Sequence, residues 1–211
     1  MNTPTAPCAT HVLYLHGFRS SPQSTKAQMV GQRVAQRHPG VRWWCPALPA
    51  SPAQAMTEVL QGLSDWPVER TVICGSSLGG FYARWLQLRW GARAVLLNPA
   101  VYPARDLARQ IGELAQWHDP SQRLHFTAAH VEELRQMEAD IARWGPQHPP
   151  RPETQFAVVA QGDEVLNWRE MQAFCAGAQL RLLPASDHAI SDFGAHIGAV
   201  FDFMRLCPAG V

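Results

Sequence analysis

The sequence predicts an α/β fold: a mostly parallel sheet of about six strands with helices on both faces. Three observations carry this expectation. Short apolar runs alternate with longer segments whose apolar residues recur at helical spacing. The runs end at turn-forming residues, among them His16-Gly17, Pro46, Asn98-Pro99, Gln161-Gly162-Asp163 and Pro184. The chain has 211 residues, 46% of them hydrophobic and 17% charged. A chain of that size forms one domain that buries roughly 70% of its unfolded surface.

Residues 1–10 are polar and proline-containing and read as a loose tail. His11-Val-Leu-Tyr-Leu15 is the first strand, followed by the turn-rich loop His16–Pro22. Ala27, Val30 and Val34 mark a helix over 24–37, stopped by His38-Pro39-Gly40. Val41–Cys45 is the second strand. Ser51-Pro52 then opens a helix with serine at the cap and proline at the first helical position. Met56, Val59, Leu60 and Leu63 form its apolar face. The third strand starts at Thr71, and Phe81–Trp90 reads as the helix after it. Ala92–Leu97, Phe156–Ala160 and Leu180–Leu183 are strands four to six. Ile190, Phe193, Ile197, Val200, Phe201 and Met204 line one face of a closing helix.

Alternation of strand and helix implies a parallel sheet, whose ligands bind beyond the carboxyl ends of the strands. One insertion, roughly residues 102–152, breaks the rhythm. Strands four and five are separated by about fifty residues, where a parallel crossover needs about a dozen. Leu107, Ile111, Leu114 and Trp117 suggest one helix there. Val131, Leu134, Met137, Ile141 and Trp144 suggest another, with Thr127 at its cap. Two readings stand: a small helical cap over the site, or a long crossover whose Met and Trp stripe joins the core. Trp117 and Trp144 likewise read either as the lining of a groove at the site or as core.

The stretch Thr71-Val-Ile-Cys-Gly-Ser-Ser-Leu-Gly-Gly80 joins an apolar strand to a helix through G-x-S-x-G, with Gly75 and Gly79 flanking Ser77. This is the context in which a serine sits on a sharp strand-to-helix turn with its hydroxyl exposed. Ser76 is the rival hydroxyl, but Cys74 and Leu78 occupy its flanking positions. The plain alternative is a glycine-rich turn that only packs tightly. A serine hydroxyl is a poor nucleophile without a base and a group that orients the base. His188, after the last strand, is the histidine best placed to be that base. Asp163, after the fifth strand, is the orienting acid, with Glu164 its rival and a helix cap its plainer role. The oxyanion donors expected are the backbone N–H groups of Leu78 and of Phe18, with Gly17 allowing close approach. His16 packs or hydrogen-bonds beside that loop.

Formal net charge is +1 without blocks of like charge, so nothing predicts binding to nucleic acid or an anionic membrane. The N-terminal residues lack a basic region and a long apolar stretch. They therefore read as neither a signal peptide nor a membrane anchor, and the sequence assigns no oligomeric state. The five cysteines, Cys8, Cys45, Cys74, Cys175 and Cys207, are scattered and odd in number. They read as reduced thiols of a cytoplasmic protein. No metal-ligand or phosphate-loop motif occurs, and covalent catalysis by Ser77 needs no cofactor.

Five blocks, Leu13-Tyr-Leu-His-Gly-Phe-Arg-Ser-Ser-Pro22, Gly75–Gly80, Asn98-Pro-Ala100, Gly162-Asp-Glu-Val-Leu166 and Asp187-His-Ala189, together resemble the YqiA-type small bacterial esterases of the α/β-hydrolase superfamily. The resemblance runs nearly the whole length and departs from the family at Tyr102–Pro152 and at Asn167-Trp168. It implies a compact α/β-hydrolase fold. It also implies hydrolysis of a small-molecule acyl ester, or an acyl thioester such as acyl-CoA, through Ser77, Asp163 and His188. The alternatives are a non-catalytic binding or regulatory protein on a hydrolase scaffold, and a peptidase or C–C hydrolase using the same residues.

Overall fold

Successive side chains of a strand point to opposite faces, and here both faces are apolar. The computed structural model describes residues 7–209. Its strands and helices are β1 (His11–Leu15), α1 (Thr25–Arg37), β2 (Arg42–Trp44), α2 (Pro52–Gly62), β3 (Thr71–Ser76), α3 (Leu78–Trp90), β4 (Arg93–Leu97) and α4 (Pro103–Leu107). There follow β5 (Gly112–Ala115), β6 (Arg123–Phe126), α5 (Ala128–Trp144), β7 (Gln155–Ala160), α6 (Trp168–Phe174), β8 (Gln179–Leu183) and α7 (Phe193–Met204). Six strands pair in parallel in the order β2-β1-β3-β4-β7-β8. Leu13, Leu15, Ile73 and Leu96 pack on one face with α2, α3 and α5. Val12, Tyr14, Val72, Cys74, Val95 and Leu97 pack on the other with α1 and α7. Covering both faces is why the central strands read as unbroken apolar runs.

Strand order reverses between β1 and β3, since β1 leads outward to β2 while β3 leads to β4 on its other side. Loops at such a switch point diverge and leave a crevice at the carboxyl ends of the strands. The loop after β1 and the turn after β3 meet there. The expected caps form: Ser51 accepts from Gln54 N–H, and Thr127 accepts from His130 N–H at the start of α5.

Three expectations are corrected. The helix expected over Leu107–Trp117 ends early. Gly112 takes φ 135°, a left-handed conformation that no helix continues, and β5 pairs antiparallel with β6 as a hairpin. Cys8 and Cys207, read as reduced, form a disulfide across a Cα–Cα distance of 4.9 Å. The cause is tertiary: buried Ala9 bridges Leu206, which sets both ends of the chain side by side. Closing so long a loop restricts the unfolded chain, a contribution of about 2–4 kcal/mol. Cys45, Cys74 and Cys175 are free thiols. The third correction follows from the same bridge. Of the expected loose tail, residues 1–6 lie outside the described residues, whereas Ala9 and Thr10 are tied to Arg205 and Arg70 by backbone hydrogen bonds.

Candidate active site

The turn after β3 is the focus. Ser77 adopts φ 55° and ψ −120°, a strained conformation for a residue with a side chain. Space permits the turn only because glycines flank it. A Cβ on Gly75 would lie 2.0 Å from the Gly79 carbonyl oxygen, and one on Gly79 would lie 2.0 Å from the Leu15 carbonyl oxygen. The sheet and α3 therefore approach to backbone contact on either side of Ser77. Ser77 occupies the cap position of α3, yet its hydroxyl accepts no capping hydrogen bond from the helix.

That hydroxyl meets histidine instead. His188 Nε2 stands 3.1 Å from Ser77 Oγ, and His188 Nδ1 stands 2.7 Å from Asp163 Oδ2. The Asp163 side chain is fully buried, while that of His188 is 22% exposed, so one end of the chain is sealed and the other opens to solvent. Asp163 Oδ1 accepts from the N–H groups of Val165 and Leu166 at 2.8 and 2.7 Å. Three donors thus fix the carboxylate plane. The three candidates chosen from the sequence, Ser77, Asp163 and His188, are brought into one hydrogen-bonded line. Glu164 reaches the backbone of His188 rather than its ring: its Oε2 accepts the His188 N–H at 3.0 Å.

In the sequence Asn98 marks the end of a strand and opens one of the blocks that carry the family resemblance, with no role assigned to its side chain. It is fully buried with φ 42°, and its Nδ2 donates to the carbonyls of Asp187 and His188 at 3.1 and 3.0 Å. Its Oδ1 accepts from Ala160 N–H at 2.7 Å. One side chain therefore ties the histidine loop to the end of β7, the strand that carries Asp163.

Gly17, Phe18, Ser77 and His188 line a common cleft of about 390 Å³. A Cβ on Gly17 would come 3.3 Å from the Ser77 Cβ, so the loop after β1 lies directly against the serine. Leu78 opens α3, where the first backbone N–H groups have no acceptor within the helix. Trp117 and His118, from the turn of the β5–β6 hairpin, line the same cleft, and Trp117 N–H donates to the Arg19 carbonyl at 2.9 Å. Trp144 does not reach it and packs on Trp85 instead. Among the described residues no group of three or more His, Cys, Asp or Glu is arranged to hold a metal ion. No described helix is long and apolar enough to cross a membrane.

His16 holds the β1 loop. Its Nδ1 donates to the Gly17 carbonyl at 3.0 Å, and its Nε2 accepts from Leu48 N–H at 3.1 Å. Those partners require the neutral ring, and burial lowers its pKa below 6.5, against the Gly17 hydrogen bond. The unfolded chain therefore takes up this proton more readily than the folded one. His16 contributes stability above about pH 6.5 that is lost as pH falls below it. Urea midpoints at pH 7.5 and 5.0 should fall more steeply for wild type than for His16→Gln. Parallel slopes would contradict the neutral assignment.

Comparison with known proteins agrees with this architecture. The sequence pattern of the family described as "Uncharacterised protein family (UPF0227)" matches residues 11–205. A UPF0227 protein of Yersinia pseudotuberculosis serotype O:1b (strain IP 31758) is 28% identical over 111 residues, which are 51% of this chain and 61% of that protein. The match thus spans about three-fifths of the length of the curated relative. One of the metagenome-derived lipolytic enzymes LipS and LipT superposes with TM-score 0.71 at 18% identity, over 96% of this chain and 98% of its own. Est1E from Butyrivibrio proteoclasticus, with ferulic acid bound, gives TM-score 0.68 at 14% identity, over 94% of this chain and 87% of its own. The fold is that of an α/β-hydrolase. With the pattern running from the first strand to just past the last helix, this chain belongs to the uncharacterised protein family UPF0227, which is YqiA-like.

Proposed function

We propose that this protein is a serine hydrolase that cleaves carboxylic esters through an acyl-enzyme. One observation carries the reading: a single imidazole stands within hydrogen-bond reach of the Ser77 hydroxyl on one side and a buried carboxylate on the other. The lipolytic and esterase neighbours support it by likeness of fold.

In this reading His188 Nε2 takes the Ser77 proton as Oγ bonds to the acyl carbon. The carbonyl oxygen becomes an oxyanion, stabilised by the N–H groups of Leu78 and Phe18. Collapse breaks the bond to the alcohol oxygen, and His188 returns the proton to the leaving alkoxide. Water then enters by the same path and releases the acid. Asp163 holds the ring in the tautomer that leaves Nε2 free to accept a proton and stabilises the imidazolium that forms. The steps apply equally to an acyl thioester such as acyl-CoA, with a thiol as leaving group. Within residues 102–152, α5 joins the core while the turn of the β5–β6 hairpin, through Trp117 and His118, forms one wall of the cleft in a single domain.

A series of p-nitrophenyl esters from acetate to long acyl chains tests the proposal. Saturable turnover of at least part of the series, lost in Ser77→Ala, is expected. No turnover of any member would contradict it.

A further inference from the structure

The cleft around Ser77 is electrically one-sided. Its ionisable lining residues are Tyr14, Lys26, His118 and His188, and no carboxylate lines it. Lys26 lies in the first turn of α1. Its ammonium donates to the carbonyl of Ala189, the residue after His188, and makes no ion pair among the described residues. Two of its three N–H donors are therefore uncommitted. Asp187 and, more weakly, Asp163 are near enough to attract it, but Asp187 is bound by Ser191 through both N–H and Oγ, Asp163 by His188 and two backbone N–H groups, and neither lines the cleft.

Neighbouring groups are equally unspent. Tyr14 is fully buried, and its hydroxyl lies beside the Ser76 side chain without a well-formed hydrogen bond among the described residues. Ser24 caps α1, but its buried Oγ accepts no capping hydrogen bond and has no other partner among the described residues. Both residues line the cleft with Lys26. Buried donors without partners are costly unless a ligand or water satisfies them. Burial also lowers the Lys26 pKa to about 8, opposed by Asp187, so the ammonium is still charged at neutral pH.

We infer that Lys26, with Ser24 and Tyr14, forms a subsite for an anionic group carried by the ester substrate, so that the enzyme prefers short acyl esters bearing a second, ionised carboxylate. This inference rests on the ester-hydrolase reading above. Lys26 holds the carbonyl next to His188 and lines the same cleft as Ser77, so in this inference the charged group sits close to the scissile carbonyl. Half-esters of short dicarboxylic acids meet that requirement. A plain alternative exists on the same contact: Lys26 would only brace the histidine loop.

The experiment compares monomethyl succinate, glutarate and adipate with methyl butyrate, valerate and hexanoate, following acid release by pH-stat. A second pair, 4-carboxyphenyl acetate and phenyl acetate, places the charge on the alcohol side. A charge-assisted hydrogen bond to the substrate corresponds to a preference of about ten- to a hundredfold in kcat/KM. Wild type should show it for one of the charged half-esters over its neutral partner, mostly in KM. Lys26→Met should lower kcat/KM for the charged ester at least tenfold more than for the neutral one, and Lys26→Arg should retain part of the preference. A charge preference confined to the alcohol-side pair would overturn the acyl assignment. Equal cleavage of charged and neutral esters by wild type, or equal losses in Lys26→Met, would overturn the subsite and leave the bracing role. If no ester is cleaved, the hydrolase reading fails by itself. Calorimetric titration of Ser77→Ala with monomethyl glutarate then still decides the subsite, by whether Lys26→Met on that background abolishes binding.

Discussion

Ser77→Ala is expected to lower kcat for ester hydrolysis by about 10⁶-fold, the order found when the nucleophile of a comparable triad is removed. In the proposed reaction Oγ is the atom that bonds to the acyl carbon, so its loss removes the covalent route and not merely some binding. Ser76 offers no substitute. It is the last residue of β3 and only 8% exposed, and no hydrogen bond joins it to His188. Residual hydrolysis of about 10³–10⁴-fold over water should persist, because the backbone donors and the binding surface survive the change. KM should move little. Alanine keeps the Cβ and meets the same strained φ of 55°, so the fold is retained. A circular-dichroism melt of the variant checks this. Wild-type turnover in a folded Ser77→Ala protein would remove the residue from the chemistry.

Asp163→Asn is expected to lower kcat by about 10⁴-fold, through the tautomer rather than through charge alone. Asp163 Oδ1 accepts two backbone N–H groups, from Val165 and Leu166. An asparagine must keep its oxygen there, because its NH₂ cannot accept. The NH₂ then faces His188 Nδ1 and donates to it, which forces the ring proton onto Nε2. A ring protonated at Nε2 cannot take the Ser77 proton. Glu164→Gln makes the control, since Glu164 touches only the His188 backbone N–H. Its loss should stay below about tenfold, the order of one hydrogen bond. A loss below tenfold in Asp163→Asn, with a larger one in Glu164→Gln, would transfer the orienting role to Glu164.

Much of the sheet was legible because each central strand is a short apolar run closed by a turn residue, and because Gly75 and Gly79 frame Ser77. Those signals are local. Asp163 and His188 were selected by a topological rule, that side chains just past the carboxyl ends of parallel strands converge. The hairpin was missed because Leu107, Ile111 and Leu114 fall at helical spacing by accident, while one left-handed glycine, Gly112, decides against the helix. α6 was missed because seven residues are too few to show a period. The disulfide and the Asn98 clamp depend on contacts across 199 and about ninety residues respectively, which no local pattern encodes. Lys26 was passed over for the same reason: a lysine in the first turn of a helix reads as solvated until the neighbouring loop closes over it.

The central claim is that His188 activates the Ser77 hydroxyl. Treatment with a fluorophosphonate, followed by peptide mass spectrometry, tests it most directly. The account predicts one phosphonyl adduct per chain, on Ser77, formed at least a hundredfold more slowly in His188→Ala, a loss within the range a positioned general base contributes. Adduct on another residue, or equal labelling of wild type and His188→Ala, would contradict it.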